Sequence, residues 1–182
     1  NEYLLFLDGR TDEEIHLLRN RLGMADDGNA RFVVLPARNK FDWNLWWVPR
    51  YLQAHAVDIY HTQYIVPFFV PKRTHIVTHI HDVSFRVYPR YIASMDRLFL
   101  SLLIPRSLDR ADAIVAPSEF TKREILKLYP RTTGKISVVY NAVAPEFFHI
   151  DTLGEVAREK QADAIRRKYH LPKTYILSVG TL

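Results

Sequence analysis

The sequence predicts an α/β fold: a doubly wound, mostly parallel sheet with helices on both faces. Three observations lead there. Short apolar runs alternate with helical patterns, the order in which parallel strands and crossover helices follow one another. The runs stop at polar residues, as strands do when their carboxyl ends deliver chemistry. The composition, 48% apolar and 25% charged, is that of an ordinary globular domain, and no internal repeat or low-complexity segment interrupts it.

The elements follow in order. Leu4–Leu7 reads as a strand ending at Asp8-Gly9. Thr11-Asp-Glu-Glu14 is a capping-box pattern opening a helix with Ile15, Leu18 and Leu22 on one face. Phe32–Leu35 is a second strand. Asp42–His55, with Trp43, Trp46 and Trp47, reads as a helix that Pro49 breaks or kinks. Val57–His61 is a third strand, and Pro67 and Pro71 keep the following residues 62–72 out of a sheet interior. His75–Ile80 is a fourth strand. Met95–Ala111 is a helix containing Pro105. Asp112–Ala116 is a fifth strand, after which Ser118 caps a helix reaching about Leu128. Lys135–Tyr140 is a sixth strand, Glu155–Tyr169 a charged helix, and Thr174–Val179 a seventh strand. The break near residues 150–154 marks the expected domain boundary. Both chain ends fall at strands, so a piece of a longer protein is expected.

Several function classes drop out early. The 182 residues contain no cysteine, which removes disulfides, thiolate metal sites and cysteine nucleophiles. That absence fits a reducing compartment, and a cytoplasmic location is expected. No run approaches the roughly 18 apolar residues of a membrane span. The net charge of +5 favours an anionic partner such as phosphate, nucleotide or a membrane surface. No Lys/Arg block of the nucleic-acid type is present, and no nucleic-acid partner is expected. The six glycines are too scattered for G-x-G-x-x-G or a P-loop.

Ligands of such a sheet bind outside the carboxyl ends of its strands. Four ends carry candidates: His61-Thr62-Gln63-Tyr64, His81-Asp82, Ser118-Glu119 and Asn141. Their hydroxyl, amide, imidazole and carboxylate groups suit polyhydroxylated ligands such as sugars. His81 is the sharpest of them, placed after an apolar strand where an imidazole can bind substrate or carry a proton. A metal reading of His75, His79 and His81 meets strand geometry: His75 and His81 stand about 20 Å apart, too far for one ion to take all three, while His79 and His81 share a face at about 7 Å. Ser118 lies in Ala-Pro-Ser-Glu-Phe rather than G-x-S-x-G, so it reads as a helix cap whose helix end can still receive an anion. Phe68, Phe69, Phe99 and Leu100, near Lys72, Arg73, Arg97 and Arg106, form a candidate membrane-surface or lipid-acceptor patch.

Four motifs in order resemble the retaining glycosyltransferases of the GT-B fold, in particular glycosyltransferase family 4. They are Thr78-His-Ile-His81-Asp82-Val-Ser-Phe85, Ala111-Asp-Ala-Ile-Val-Ala-Pro-Ser118-Glu-Phe120, Val139-Tyr-Asn141-Ala-Val143 and Tyr175-Ile-Leu-Ser-Val-Gly180. Together they span roughly Asp58–Leu182. One departure is Ala142, where members usually carry glycine after the asparagine. The resemblance implies three segments. Residues 1–150 are an amino-terminal, acceptor-side Rossmann-like domain lacking its first strand. Residues 151–172 are a linker and helix, and residues 173–182 are the first strand of a truncated donor-binding domain.

The function so implied is transfer of a hexose from a nucleotide-sugar to an acceptor hydroxyl with retention, in polysaccharide or lipid-linked glycan synthesis. His81 then helps position the donor sugar, and catalysis rests on the donor phosphate and on stabilising the leaving diphosphate. Asp82, Gln63 and Tyr64 line the cleft rim and acceptor side, while Ser118 and Asn141 shape loops. No cofactor and no metal are expected. The expected partners are the nucleotide-sugar, a glycan or lipid-linked acceptor, and the inner face of a membrane through peripheral contact. This chain alone is expected to be inactive. Two alternatives stand beside this reading: a non-catalytic module for sugar or anionic surfaces, and a His79/His81 metallohydrolase.

Overall fold

The computed structural model describes residues 1–24, 28–143 and 154–178. They belong to two compact units, Asn1–Tyr140 and Asn141–Leu182. The domain boundary expected near residues 150–154 falls largely on residues 144–153, outside the described ones.

The larger unit is α/β with parallel strands throughout. β1 (Tyr3–Asp8) and β2 (Ala30–Leu35) pair in parallel from Tyr3↔Ala30 to Asp8↔Leu35. Between them runs α1 (Asp12–Arg21), opened by the predicted capping box: the Thr11 hydroxyl accepts from Glu14 N, and the Glu14 carboxylate accepts from Thr11 N at 2.9 Å.

Next comes one helical stretch of three parts: α2 (Lys40–Asp42), a π segment Trp43–Trp47 and α3 (Val48–Ala54). Pro49 explains the middle part. A proline inside an α-helix lacks its N–H and clashes with the carbonyl four residues back. Here the turn before it widens, and Val48 N–H reaches the Trp43 carbonyl five residues back. The helix is neither broken nor ended.

β3 (Ile59–Gln63), β4 (His75–His79), β5 (Ala113–Ala116) and β6 (Ile136–Val138) form a second sheet in that order. Single-sheet pairing across all six strands is therefore not what the described residues show. β1 and β3 share no ladder; the Phe6 ring instead packs on Tyr51 at 4.9 Å and on Tyr60 at 5.9 Å. β3 also sits two residues later than its apolar run suggested. Its register with β4, Ile59↔His75 to Gln63↔His79, decides the strand, so Gln63 is its last residue.

Between β4 and β5 lie α4 (Ser84–Val87), a 3-10 turn Pro89–Tyr91 and α5 (Ser94–Arg110), which runs unbroken through Pro105. α6 (Glu119–Leu128) follows β5, and Ser118 caps it as predicted, its Oγ accepting from Thr121 N at 3.1 Å. The core is the side of the second sheet that carries Tyr60, Ile76, Thr78, Ile80 and Ile114, covered by Ile104 and Leu108 of α5 and Ile125 of α6. Alternate residues His61, Gln63, Val77 and His79 point to the opposite side and are half-buried or exposed. That side is only partly covered.

The smaller unit contains α7 (Glu155–Tyr169), which ends at His170 in the left-handed conformation, φ 52°. Residues 174–178 form no strand, and Ile176 is fully exposed at 100%. A strand exists only through ladder bonds to a neighbour, and no described residue supplies them there.

Candidate functional site

Parallel pairing puts the carboxyl ends of β3, β4 and β5 side by side. Tyr64 N donates to the His79 carbonyl at 3.0 Å, and Ile80 N donates to the Val115 carbonyl at 2.9 Å. The chain then leaves the sheet at Tyr64, at His81-Asp82 and at Ser118. Three of the four candidate strand ends thereby meet.

Tyr64 is held in an uncommon backbone conformation, φ 56°. The loop that carries it is tied to α5: Val66 N donates to Ser107 Oγ at 2.9 Å, and the Arg106 guanidinium donates to the Val66 carbonyl at 2.9 Å. So fixed, the Tyr64 hydroxyl donates to Asp82 Oδ2 at 2.9 Å. The other oxygen, Oδ1, accepts from Ser84 N at 2.8 Å. Asp82 is thus clamped on both oxygens. Burial alone would raise its pKa, but the bonds from Ser84 and Tyr64 and the nearby His81 outweigh that, and the carboxyl lies below its ordinary value. The Tyr64 phenol is pushed up, first by burial and then by Asp82.

The His81 ring lies 5.6 Å from the Tyr64 ring and stacks on His79 at 4.2 Å with the planes 16° apart. His61 continues the column, 6.3 Å from His79. The His81 backbone is fixed from α6, since Thr121 Oγ1 donates to its carbonyl at 3.2 Å and receives the Ser118 hydroxyl at 3.1 Å. Ser118 therefore acts on the site through Thr121 while it caps the helix. The His81 ring is half-buried, and among the described residues its contacts are the rings of Tyr64 and His79. His79 Nε2 is buried without a hydrogen-bond partner among the described residues. Such an atom costs about 1–3 kcal/mol, which a ligand hydroxyl or a water would relieve. Burial, then His81 and His61, hold the His79 pKa below its ordinary value.

Two candidates, Gln63 and Asn141, remain. Gln63 ends β3 in register with His79 and is exposed, at the rim. Asn141 is exposed and belongs to the smaller unit. Residue-by-residue reading did not single out Thr121; its signal was its place three residues after the Ser118 cap. It also missed the column, because His61 lies on a different strand and only the register brings it alongside. The metallohydrolase alternative finds little support in this geometry. Stacked imidazoles present their faces to each other rather than converging nitrogens, and among the described residues no three His, Asp or Glu side chains could hold an ion. Of the candidate lipid patch, Phe69 is 71% exposed and Lys72, Arg73 and Arg97 are exposed, while Phe68 lies under Arg106 at 3.9 Å, Leu100 packs on the core, and Arg73 donates to the Leu52, Gln53 and His55 carbonyls. Among the described residues no helix is long and apolar enough to cross a membrane.

No curated protein matches the chain. The family described as Glycosyltransferase Family 4 matches residues 10–147, from before α1 to beyond β6. That span includes both sheets' strands except β1 and contains His81, Asp82, Tyr64, Ser118 and Thr121. The function is of the glycosyltransferase type, on a Rossmann-like α/β framework with parallel sheets flanked by helices. The chain belongs to glycosyltransferase family 4.

Proposed function

We propose that this chain is the acceptor-side half of a GT-B enzyme that transfers a hexose from a nucleotide-sugar to an acceptor hydroxyl with retention. The observation that carries the reading is His81: a rigidly held imidazole at the carboxyl edge of a parallel sheet. Its carbonyl is bound by Thr121 and its ring is packed between His79 and Tyr64, so it orients a sugar hydroxyl at little entropic cost. Asp82 and Tyr64 brace the loop, Gln63 sits at the acceptor rim, and Ser118 and Asn141 shape neighbouring turns. The nucleotide is held by a second domain, and the acceptor is a growing polysaccharide or a lipid-linked glycan at the cytoplasmic face of a membrane. In this reading the donor's phosphate and the stabilised leaving diphosphate carry the chemistry, and neither a protein nucleophile nor a metal is required. The chain by itself is inert.

Turnover tests this directly. The protein carrying this chain is assayed for release of nucleoside diphosphate across a panel of nucleotide-sugars without added metal, wild type beside His81→Ala. Donor-dependent release that falls at least about a hundredfold in the variant supports the site, the size expected when one well-placed polar contact is lost. Release that survives keeps the transferase and removes His81. No release from any donor favours a binding module.

A further inference from the structure

His79 is the residue whose surroundings the sugar site alone does not explain. Its Nε2 is buried without a hydrogen-bond partner among the described residues. Two imidazoles lie against its ring, His81 at 4.2 Å and His61 at 6.3 Å, with planes 16° and 17° from parallel. Neutral rings attract one another in such stacks. A proton on His79 changes that. It puts a charge in a partly desolvated place, beside two groups that charge in the same pH range. Burial and both neighbours hold the His79 pKa below its ordinary value.

Each element around the column brings a different group to it. β3 brings His61, and the turn after β3 brings Tyr64, whose phenol stays neutral because burial and Asp82 push it up. The loop after β4 brings Asp82, a carboxylate on which His81 acts and which Tyr64 and Ser84 hold on both oxygens. α6 brings uncharged hydroxyls, Thr121 on the His81 carbonyl and Ser118 on Thr121. A charged His81 therefore has a carboxylate to turn to. Among the described residues no carboxylate acts on His79. Its proton is answered only by water, which the stack keeps from Nε2. Acid thus pulls the two rings apart, one toward Asp82 and the other toward solvent.

We propose that His61 and His79 are positioning residues for His81: the neutral column holds its ring where the sugar binds, and proton uptake parts His79 from His81 and lets the sugar go. This regulation rests on the transferase reading of His81, but its first test needs no donor.

That test is NMR of the 182-residue chain carrying 13C-labelled histidine, titrated from mildly basic to mildly acid pH. The Cε1–H signals of His79 and His81 are expected to be displaced by each other's ring currents at neutral pH and to lose that displacement together in acid. His61 is exposed, so His61→Gln is compatible with the fold. In that variant the His79 midpoint is expected to rise by about half a pH unit, the effect of removing one charge at that distance in a water-like dielectric. Signals that keep their displacement while the rings titrate, or a His79 midpoint indifferent to His61→Gln, overturn the proposal. The second test is the pH profile of turnover in the protein carrying this chain. KM for the nucleotide-sugar is expected to rise about tenfold per pH unit below the His79 midpoint, with kcat less affected. His79→Phe keeps a ring in the stack and takes no proton, so that rise disappears, whereas His79→Ala loses the stack and has a high KM at every pH. A rise in His79→Phe equal to that of wild type overturns the proposal. With no turnover from any donor the transferase reading falls and sugar release falls with it, while the NMR titration decides the column by itself.

Discussion

Replacing Tyr64 with Phe removes one oxygen and leaves the ring in place, 5.6 Å from His81. What is lost is the 2.9 Å bond to Asp82 Oδ2; Oδ1 keeps its bond from Ser84 N. A hydrogen bond to a charged acceptor contributes about 1.5–3 kcal/mol, but Asp82 is exposed and solvent screens it, so about 0.5–1.5 kcal/mol is expected. The pH dependence has a definite sign. The folded-state pKa of Asp82 is depressed, so its stabilisation is complete above the unfolded value of about 3.9 and is lost as pH falls through the folded value. Tyr64 supplies part of that depression. The variant is therefore less stable near neutrality, the deficit shrinks below about pH 4, and the Asp82 pKa moves up. Urea unfolding at neutral and acid pH reads the stability, and a carboxyl NMR titration reads the pKa. An unchanged Asp82 titration, or a deficit equally large in acid, would refute the clamp.

Other outcomes follow from the same geometry. His79, whose pKa is depressed by burial and its histidine neighbours, makes the fold lose stability as pH falls from about 6.5; His79→Gln should flatten that slope in urea midpoints measured between neutral and mildly acid pH. An unaltered slope would remove the histidine column as its origin. Ser118→Ala should cost about 1 kcal/mol through the lost cap and also lower turnover, whereas Ser118→Asp, which caps equally well, should restore the melting temperature. Leu108→Ala, at a position 0% exposed, should cost about 2–5 kcal/mol in chemical unfolding, and a cost under about 1 kcal/mol would contradict the packing of α5 on the sheet.

Local chemistry was readable along the chain. The Thr11–Glu14 capping box and the Ser118 cap depend on side chains three residues apart, and both formed as expected. Alternation of apolar runs with helices gave the parallel α/β class, because buried parallel strands need crossover helices. The motif at His81-Asp82 also lies where it was expected, at a strand's end. Features that depend on a distant neighbour were not readable. The start of β3 is set by ladder bonds to β4 rather than by its own apolar run. Pro49 stands in a helix that it was expected to break or kink, and the turn before it is instead widened, with Val48 N–H bonded to the Trp43 carbonyl. Residues 174–178 have strand composition and no strand, since composition supplies no hydrogen-bond partner.

The same division runs through the site. By itself the sequence determined which groups exist and roughly where each strand delivers them: an imidazole and a carboxylate after β4, a hydroxyl before α6. Only the tertiary structure decided that Tyr64 clamps Asp82, that Thr121 holds the His81 carbonyl, and that His61, His79 and His81 stack. The partners in the two hydrogen bonds lie 18 and 40 residues apart. Strand register and loop anchoring, which are sums over many long-range contacts, bring them within bonding distance. No local pattern encodes that sum, because each contact is favourable only once the others have paid the entropy of bringing the chain together.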